Sequence, residues 1–209
     1  PTFVFIPAGF HHPDCFAATA AHLIAAGYGY EGVELATVHE LPHPETGFDT
    51  DVEAVREVLR EVAFAGEDII LVMHSYGAFV GSAAAKGFAR EHRAVESDRG
   101  SVIGLVNIAR FAVPEGLSLL DMTEGKNSEF IELDVSPGAT VRPIHGREYY
   151  YHDMGDAQAE EALSKLHPQT SAVMLSPQTY AAWKHIPPTY VICEQDRCVP
   201  LDVQEMYSS

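Results

Sequence analysis

The sequence predicts an α/β fold: a doubly wound, mostly parallel sheet with an inserted, mainly helical cap. Three observations lead there. Apolar runs recur at Thr2 to Ile6, Ile69 to Val72, Ser101 to Ile108 and Thr189 to Cys193, of the kind buried on both faces in a parallel sheet. Helical stretches separate the early ones, and such alternation means parallel pairing with right-handed crossovers. One run, Ile69-Ile70-Leu71-Val72-Met73-His74-Ser75-Tyr76-Gly77, passes into a small-residue helix at Ser75 with no room for a loop.

Length and composition bound the reading. The chain has 209 residues, enough for one good-sized core. It is 46% hydrophobic and 21% charged, which is ordinary for a globular protein. A formal net charge of −17 argues against nucleic-acid and anionic-membrane partners, which need a basic face. No apolar run has the length of a membrane span. The N-terminus passes directly into a strand, so no signal peptide is expected in this chain. Cys15, Cys193 and Cys198 are too few and too scattered for a disulfide framework or a zinc site. They fit a reducing compartment, so a cytoplasmic location is expected.

The elements follow in order. After the first strand, Pro7 to Pro13 is a loop. A helix runs from Asp14, a suitable N-cap, to Ala26 and closes at Gly27. Tyr30 to Val38 reads as a second strand, and Pro42 to Thr50 as a polar loop. Asp51 to Ala65 is amphipathic, with Val52, Val55, Val58, Leu59 and Val62 on one face. The helix after Ser75 is expected to reach about His92, and Glu91 to Gly100 is a charged connector. After Phe111 the alternation stops. About 75 residues without a clear strand are too long for a loop, so 112–186 reads as an inserted cap, with helical segments near Asp156 to Leu166 and Ser176 to Lys184. The expected division is therefore core at 1–111, cap at 112–186, and core again at 187–209. A last helix starts near Asp202.

A strand that becomes a helix at a serine must turn sharply. The turn lifts the side chain above the sheet and leaves backbone N–H groups unpaired at a helix N-terminus. This is the G-x-S-x-G nucleophile elbow with Met73 in place of the first glycine and Gly77 kept. The bland alternative is a serine N-cap. A nucleophilic serine needs a base, an acid to orient it, and donors for an oxyanion. Asp196 lies at the carboxyl end of the strand after the cap, where the order Ser…Asp…His predicts the acid; a turn aspartate is the alternative. Gly9 and Tyr76 offer backbone N–H groups as oxyanion donors.

Together these features resemble the α/β-hydrolase fold, and more narrowly the branch containing plant methylesterases, hydroxynitrile lyases and their microbial esterase-like relatives. The resemblance is carried by Phe3 to His11, Ile70 to Gly77 and Pro188 to Pro200, with the cap matched only in position and size. It implies Ser75 as nucleophile, Asp196 as triad acid, and the backbone N–H groups of Gly9 and Tyr76 as the oxyanion hole. Phe10 is the alternative first donor, because Ala8-Gly9 looks like a swapped Gly-Ala. In that family the position of His11 supports the loop.

The triad histidine should follow the acid by roughly 20–30 residues, the span of a helix, a strand and a turn. Thirteen residues follow Asp196 and none is His. The expectation is a chain cut short of its last strand, its catalytic His and a closing helix; the alternative is an inactive polypeptide. His74 should point away from Ser75. His145, His152, His167 and His185 lie in or near the cap and carry no specific signal. Asp121 and Asp153 are secondary candidates for the acid. His11, Tyr150 and Trp183 are candidates for the pocket wall. His11-His12 lacks a third ligand at metal spacing, so no metal and no cofactor is expected.

The reading is a serine hydrolase of a small, moderately apolar ester, methyl ester or lactone. One alternative is C–C lyase chemistry of the hydroxynitrile-lyase type, with Lys126, Lys165 or Lys184 as the added cationic group. The other is a non-catalytic ligand-binding protein on the same scaffold. The expected partner is a small molecule. An exposed sheet edge admits a homodimer.

Overall fold

The computed structural model describes residues 1–90, 99–109, 113–123 and 128–208. Its main sheet has five parallel strands in the order β2 (Gly29–Gly32), β1 (Thr2–Ile6), β3 (Ile69–His74), β4 (Val102–Ile108) and β8 (Pro188–Val191). Strand β1 (Thr2–Ile6) leads through a loop and a 3-10 turn (Pro13–Phe16) into α1 (Ala17–Ala25). Strand β2 (Gly29–Gly32) pairs with β1 at one edge. Helix α2 (Phe48–Phe64) returns to β3 (Ile69–His74), which pairs with β1 on one side and β4 (Val102–Ile108) on the other. Helix α3 (Tyr76–Ala84) begins directly after Ser75.

The apolar runs sit where continuous hydrophobicity puts them. Val4, Ile6, Leu71 and Met73 are fully buried between helices. Val55, Leu59 and Val62 form the inner face of α2, and every residue of α3 is buried. The small side chains of α3 let it lie close on the sheet.

Between β4 and β8 the chain forms α4 (Leu119–Met122), β5 (Ile131–Leu133), β6 (Thr140–Pro143), α5 (Gly146–Tyr149), α6 (Asp156–Ser164) and β7 (Gln169–Thr170). The three strands make an antiparallel sheet, which sequence reading missed because each is four residues or shorter. The return through two 3-10 turns, Ser171–Met174 and Ala182–Lys184, rejoins the main core: Val173, Tyr180, Ala182 and Ile186 are buried with β3, β4 and α3. Strand β8 (Pro188–Val191) pairs with β4, and α7 (Leu201–Ser208) ends the described chain.

Several expected bounds move. The second strand stops at Gly32, although Val33, Leu35 and Val38 stay buried beyond it. The helix after Ser75 ends at Ala84, and Gly87 in the left-handed region (φ 84°) turns the chain away. No helix covers Ser176 to Lys184 beyond its last turn. Pro177 disfavours a helical residue before it, and α3 takes the local backbone groups instead. Ser82 donates to the Tyr180 carbonyl, and Ala182 N–H donates to Ser82 Oγ. Residues 91–98 of the expected connector, His92 among them, and the boundary residue Phe111 lie outside the described residues. Among the described residues no helix is long and apolar enough to cross a membrane.

Candidate active site

Ser75 has φ 50° and ψ −117°, a conformation L-residues rarely hold. The strand-to-helix junction imposes it. Ser75 N–H still donates to the Ile108 carbonyl of the neighbouring strand, while its carbonyl accepts from Ala78 N–H in the first turn of α3. Gly77 is required by close approach: a Cβ there would stand 2.5 Å from the carbonyl oxygens of both Ile6 and Pro7. Met73 fits in the first-glycine position because α3 gives way at Gly81. A Cβ on Gly81 would meet Met73 Sδ at 2.6 Å.

The loop after β1 faces the elbow. A Cβ on Gly9 would lie 3.7 Å from Tyr76 Cβ, so the loop and the start of α3 flank one space. Phe10 is in the left-handed region, with φ 72°. The N–H groups of Gly9 and Phe10 have no acceptor among the described residues, and that of Tyr76 opens a helix, where none exists within the helix. The loop is held through its carbonyls. His11 Nδ1–H donates to Gly9 O at 2.7 Å, and His167 N–H donates to Phe10 O at 3.0 Å.

Asp196 stands in the turn after β8. Its Oδ1 accepts from the N–H groups of Cys198 (2.7 Å) and Val199 (3.1 Å). Gln204, fully buried on α7, braces this turn by bonding the Cys193 backbone at both ends and the Val199 carbonyl. Ser75, Gly9 and Asp196 all follow parallel strands at their carboxyl ends, where such sheets place ligands.

These residues line one cavity of about 710 Å³. Gly9, Phe10, His11, Ser75, Tyr76, Tyr150 and Asp196 are all on its wall. Leu119, Met122 and Phe130 add apolar surface from between β4 and β8. Trp183 is placed elsewhere. It lies on the 3-10 turn before β8, partly buried against the main core and away from the cavity lining. His74 lines the cavity, its ring 6.4 Å from that of His11. Burial chiefly, with His11 beside it, lowers its pKa to about 4, so the ring is neutral. Burial also lowers the pKa of His11.

The remaining candidates separate. His152 and Asp153 line the cavity. Asp121 instead closes a capping box with Ser118 at the start of α4. His167 meets the ring of His12 and His185 stacks on Tyr180. His145 caps α5. Lys165 is paired with Asp14 and Glu161; Lys184 is exposed and outside the lining; Lys126 lies outside the described residues. Among the described residues no group of three or more His, Cys, Asp or Glu could hold a metal ion.

One feature of the site was not read from the sequence. Asp51, fully buried in the first turns of α2, accepts from Thr37 N–H (3.0 Å), Thr37 Oγ1–H (2.6 Å) and Tyr76 O–H (2.7 Å). Gln169 on β7 donates to Thr37 Oγ1 at 2.9 Å, and its Oε1 packs on Gly9. An acidic residue at the head of an amphipathic helix reads as a dipole partner. Nothing in the sequence marks it as buried.

The geometry has counterparts in known proteins. Residues 3–209 match the family model described as the Alpha/beta hydrolase family. A curated relative, the alpha/beta hydrolase nvfD of Aspergillus novofumigatus, is 31% identical over 98% of this chain and 81% of its own length. A probable hydrolase R7 from a Phoma species is 25% identical over the same shares. The crystal structure of polyneuridine aldehyde esterase superposes with a TM-score of 0.77 at 15% identity, covering 99% of this chain and 85% of that one. Fold, elbow and the match along residues 3–209 agree: this chain belongs to the alpha/beta hydrolase family.

Proposed function

We propose that this protein is a serine hydrolase of carboxylic esters: small, moderately apolar esters, methyl esters or lactones. The observation that carries the reading is the convergence on one aromatic-lined cavity of Ser75, held in the strained elbow conformation, and the amides of Gly9, Phe10 and Tyr76, which have no acceptor among the described residues. Asp196 on the same wall supports a triad order of Ser, Asp, His.

In this mechanism Ser75 Oγ attacks the ester carbonyl. Its proton passes to an imidazole oriented by Asp196, and the resemblance implies a histidine that follows Asp196 in sequence. The tetrahedral oxyanion is stabilised by Tyr76 N–H and by Gly9 N–H or Phe10 N–H. The alcohol leaves with the relayed proton, and water then releases the acid from the acyl-enzyme. Residues 112–186 act as the cap, with Leu119, Met122 and Phe130 contributing apolar wall that seats the substrate. No cofactor is used. The hydrolase names of the relatives do not favour the lyase alternative.

The test is turnover of p-nitrophenyl esters by the full-length protein, with fluorophosphonate labelling. Turnover and labelling that both vanish in Ser75→Ala support the reading. Tight ligand binding without either overturns it in favour of a binding scaffold.

A further inference from the structure

Tyr151 sits far along the chain from the loop after β1, yet its hydroxyl reaches that loop. It lies 2.9 Å from His11 Nε2. The other ring nitrogen, Nδ1, is 2.7 Å from Gly9 O. A carbonyl can only accept, so Nδ1 carries the proton. In a neutral ring Nε2 then holds a lone pair, and the phenol donates to it. Burial keeps the ring neutral and raises the phenol pKa to about 12, so both protons stay where this chain needs them.

The carbonyl of Gly9 and the N–H of Phe10 are two ends of one planar peptide. Holding the first fixes the direction of the second. That peptide needs holding, because Phe10 is a bulky residue at φ 72°. His167 N–H grips the next carbonyl, and His167, like Tyr151, comes from between β4 and β8.

We propose that Tyr151 is a positioning residue: through His11 it orients the Gly9–Phe10 peptide, and so couples the seating of the cap to the oxyanion donors. The proposal rests on the hydrolase reading of the site. It makes the cap more than a wall. A cap displaced from the loop withdraws the phenol, frees the imidazole to rotate, and loosens the peptide whose N–H faces the carbonyl oxygen.

The experiment compares Tyr151→Phe with wild type in the full-length protein. Phenylalanine keeps the ring and removes only the hydroxyl. The expected result is a fall in kcat and in fluorophosphonate labelling rate of about tenfold, with KM and melting temperature unchanged, since an oxyanion donor is misdirected rather than removed. Added to His11→Leu, which already breaks the link, Tyr151→Phe should cost nothing further. Nitrogen-15 spectra should show His11 as the Nδ1–H tautomer in wild type and as a mixture in Tyr151→Phe. Turnover left unchanged by Tyr151→Phe, or losses that add in the double variant, overturns the positioning role and leaves the hydrolase reading standing. Absence of turnover and labelling in wild type overturns both.

Discussion

Tyr76, the residue after Ser75, donates its phenol proton to Oδ2 of Asp51 at 2.7 Å, and no part of Asp51 is exposed. The first turn of α3 is thereby tied to the first turns of α2. Burial pushes the Asp51 carboxyl above its usual range despite three donors, and Tyr76 is raised well above its ordinary value. Asp51→Ala leaves the Tyr76 and Thr37 hydroxyls unpaired in the core and should cost about 3 kcal/mol. Tyr76→Phe removes one donor of three and should cost about 1.5 kcal/mol. Urea unfolding of both variants checks the order; equal costs would mean that the pair does not share the load this way.

Ser75 stores strain. Glycine occupies φ 50°, ψ −117° without a Cβ penalty, whereas an L-residue held there costs about 1–3 kcal/mol. Ser75→Gly should therefore stabilise the fold by about 1 kcal/mol while abolishing any nucleophile, and Ser75→Ala should leave stability nearly unchanged. Paired denaturation curves decide it.

The Met73–Gly81 fit makes a second pair testable. Gly81→Ala places a methyl within 2.6 Å of both Met73 Sδ and Ile6 Cδ1, and should destabilise by about 2 kcal/mol. Trimming Met73 to Ala in the same chain should recover part of that loss. A double-mutant cycle reads the coupling, and simple additivity would refute the steric account.

Acid should weaken the protein through its buried imidazoles. The pKa of His74 is lowered from 6.5 to about 4, and that of His11 is lowered too, both chiefly by burial. The folded state thus binds fewer protons than the unfolded state across that window. Stability is full above about 6.5 and is lost as the pH falls toward about 4. The raised Asp51 carboxyl works in the opposite sense, because the folded state there binds protons more readily than the unfolded one. His74→Gln should flatten the acid loss by on the order of 2 kcal/mol, read from unfolding midpoints at pH 7 and pH 4.5. An unchanged slope would place the acid sensitivity elsewhere.

The elbow was legible because its requirements are local. A buried strand, Ser75 and small residues follow one another without a gap, and Gly77 meets two backbone carbonyls that no larger residue would tolerate. Trp183 was not, since a single aromatic in an irregular stretch has no period to say which face is inside; it packs on the main core. The antiparallel sheet of β5, β6 and β7 is built from pieces too short to show alternation.

By itself the sequence determined the strand–helix alternation of the main sheet, its parallel pairing, the elbow at Ser75 and the turn at Asp196, because each follows from hydrophobic period and backbone chemistry within a dozen residues. Tertiary structure alone decided which distant groups meet. Tyr151 reaches His11, Gln169 rests on Gly9, and Asp51 lies under Tyr76. Those contacts join segments far apart in the chain, and hydrogen bonds between such segments depend on where packing of the whole core sets each element, which no local pattern encodes.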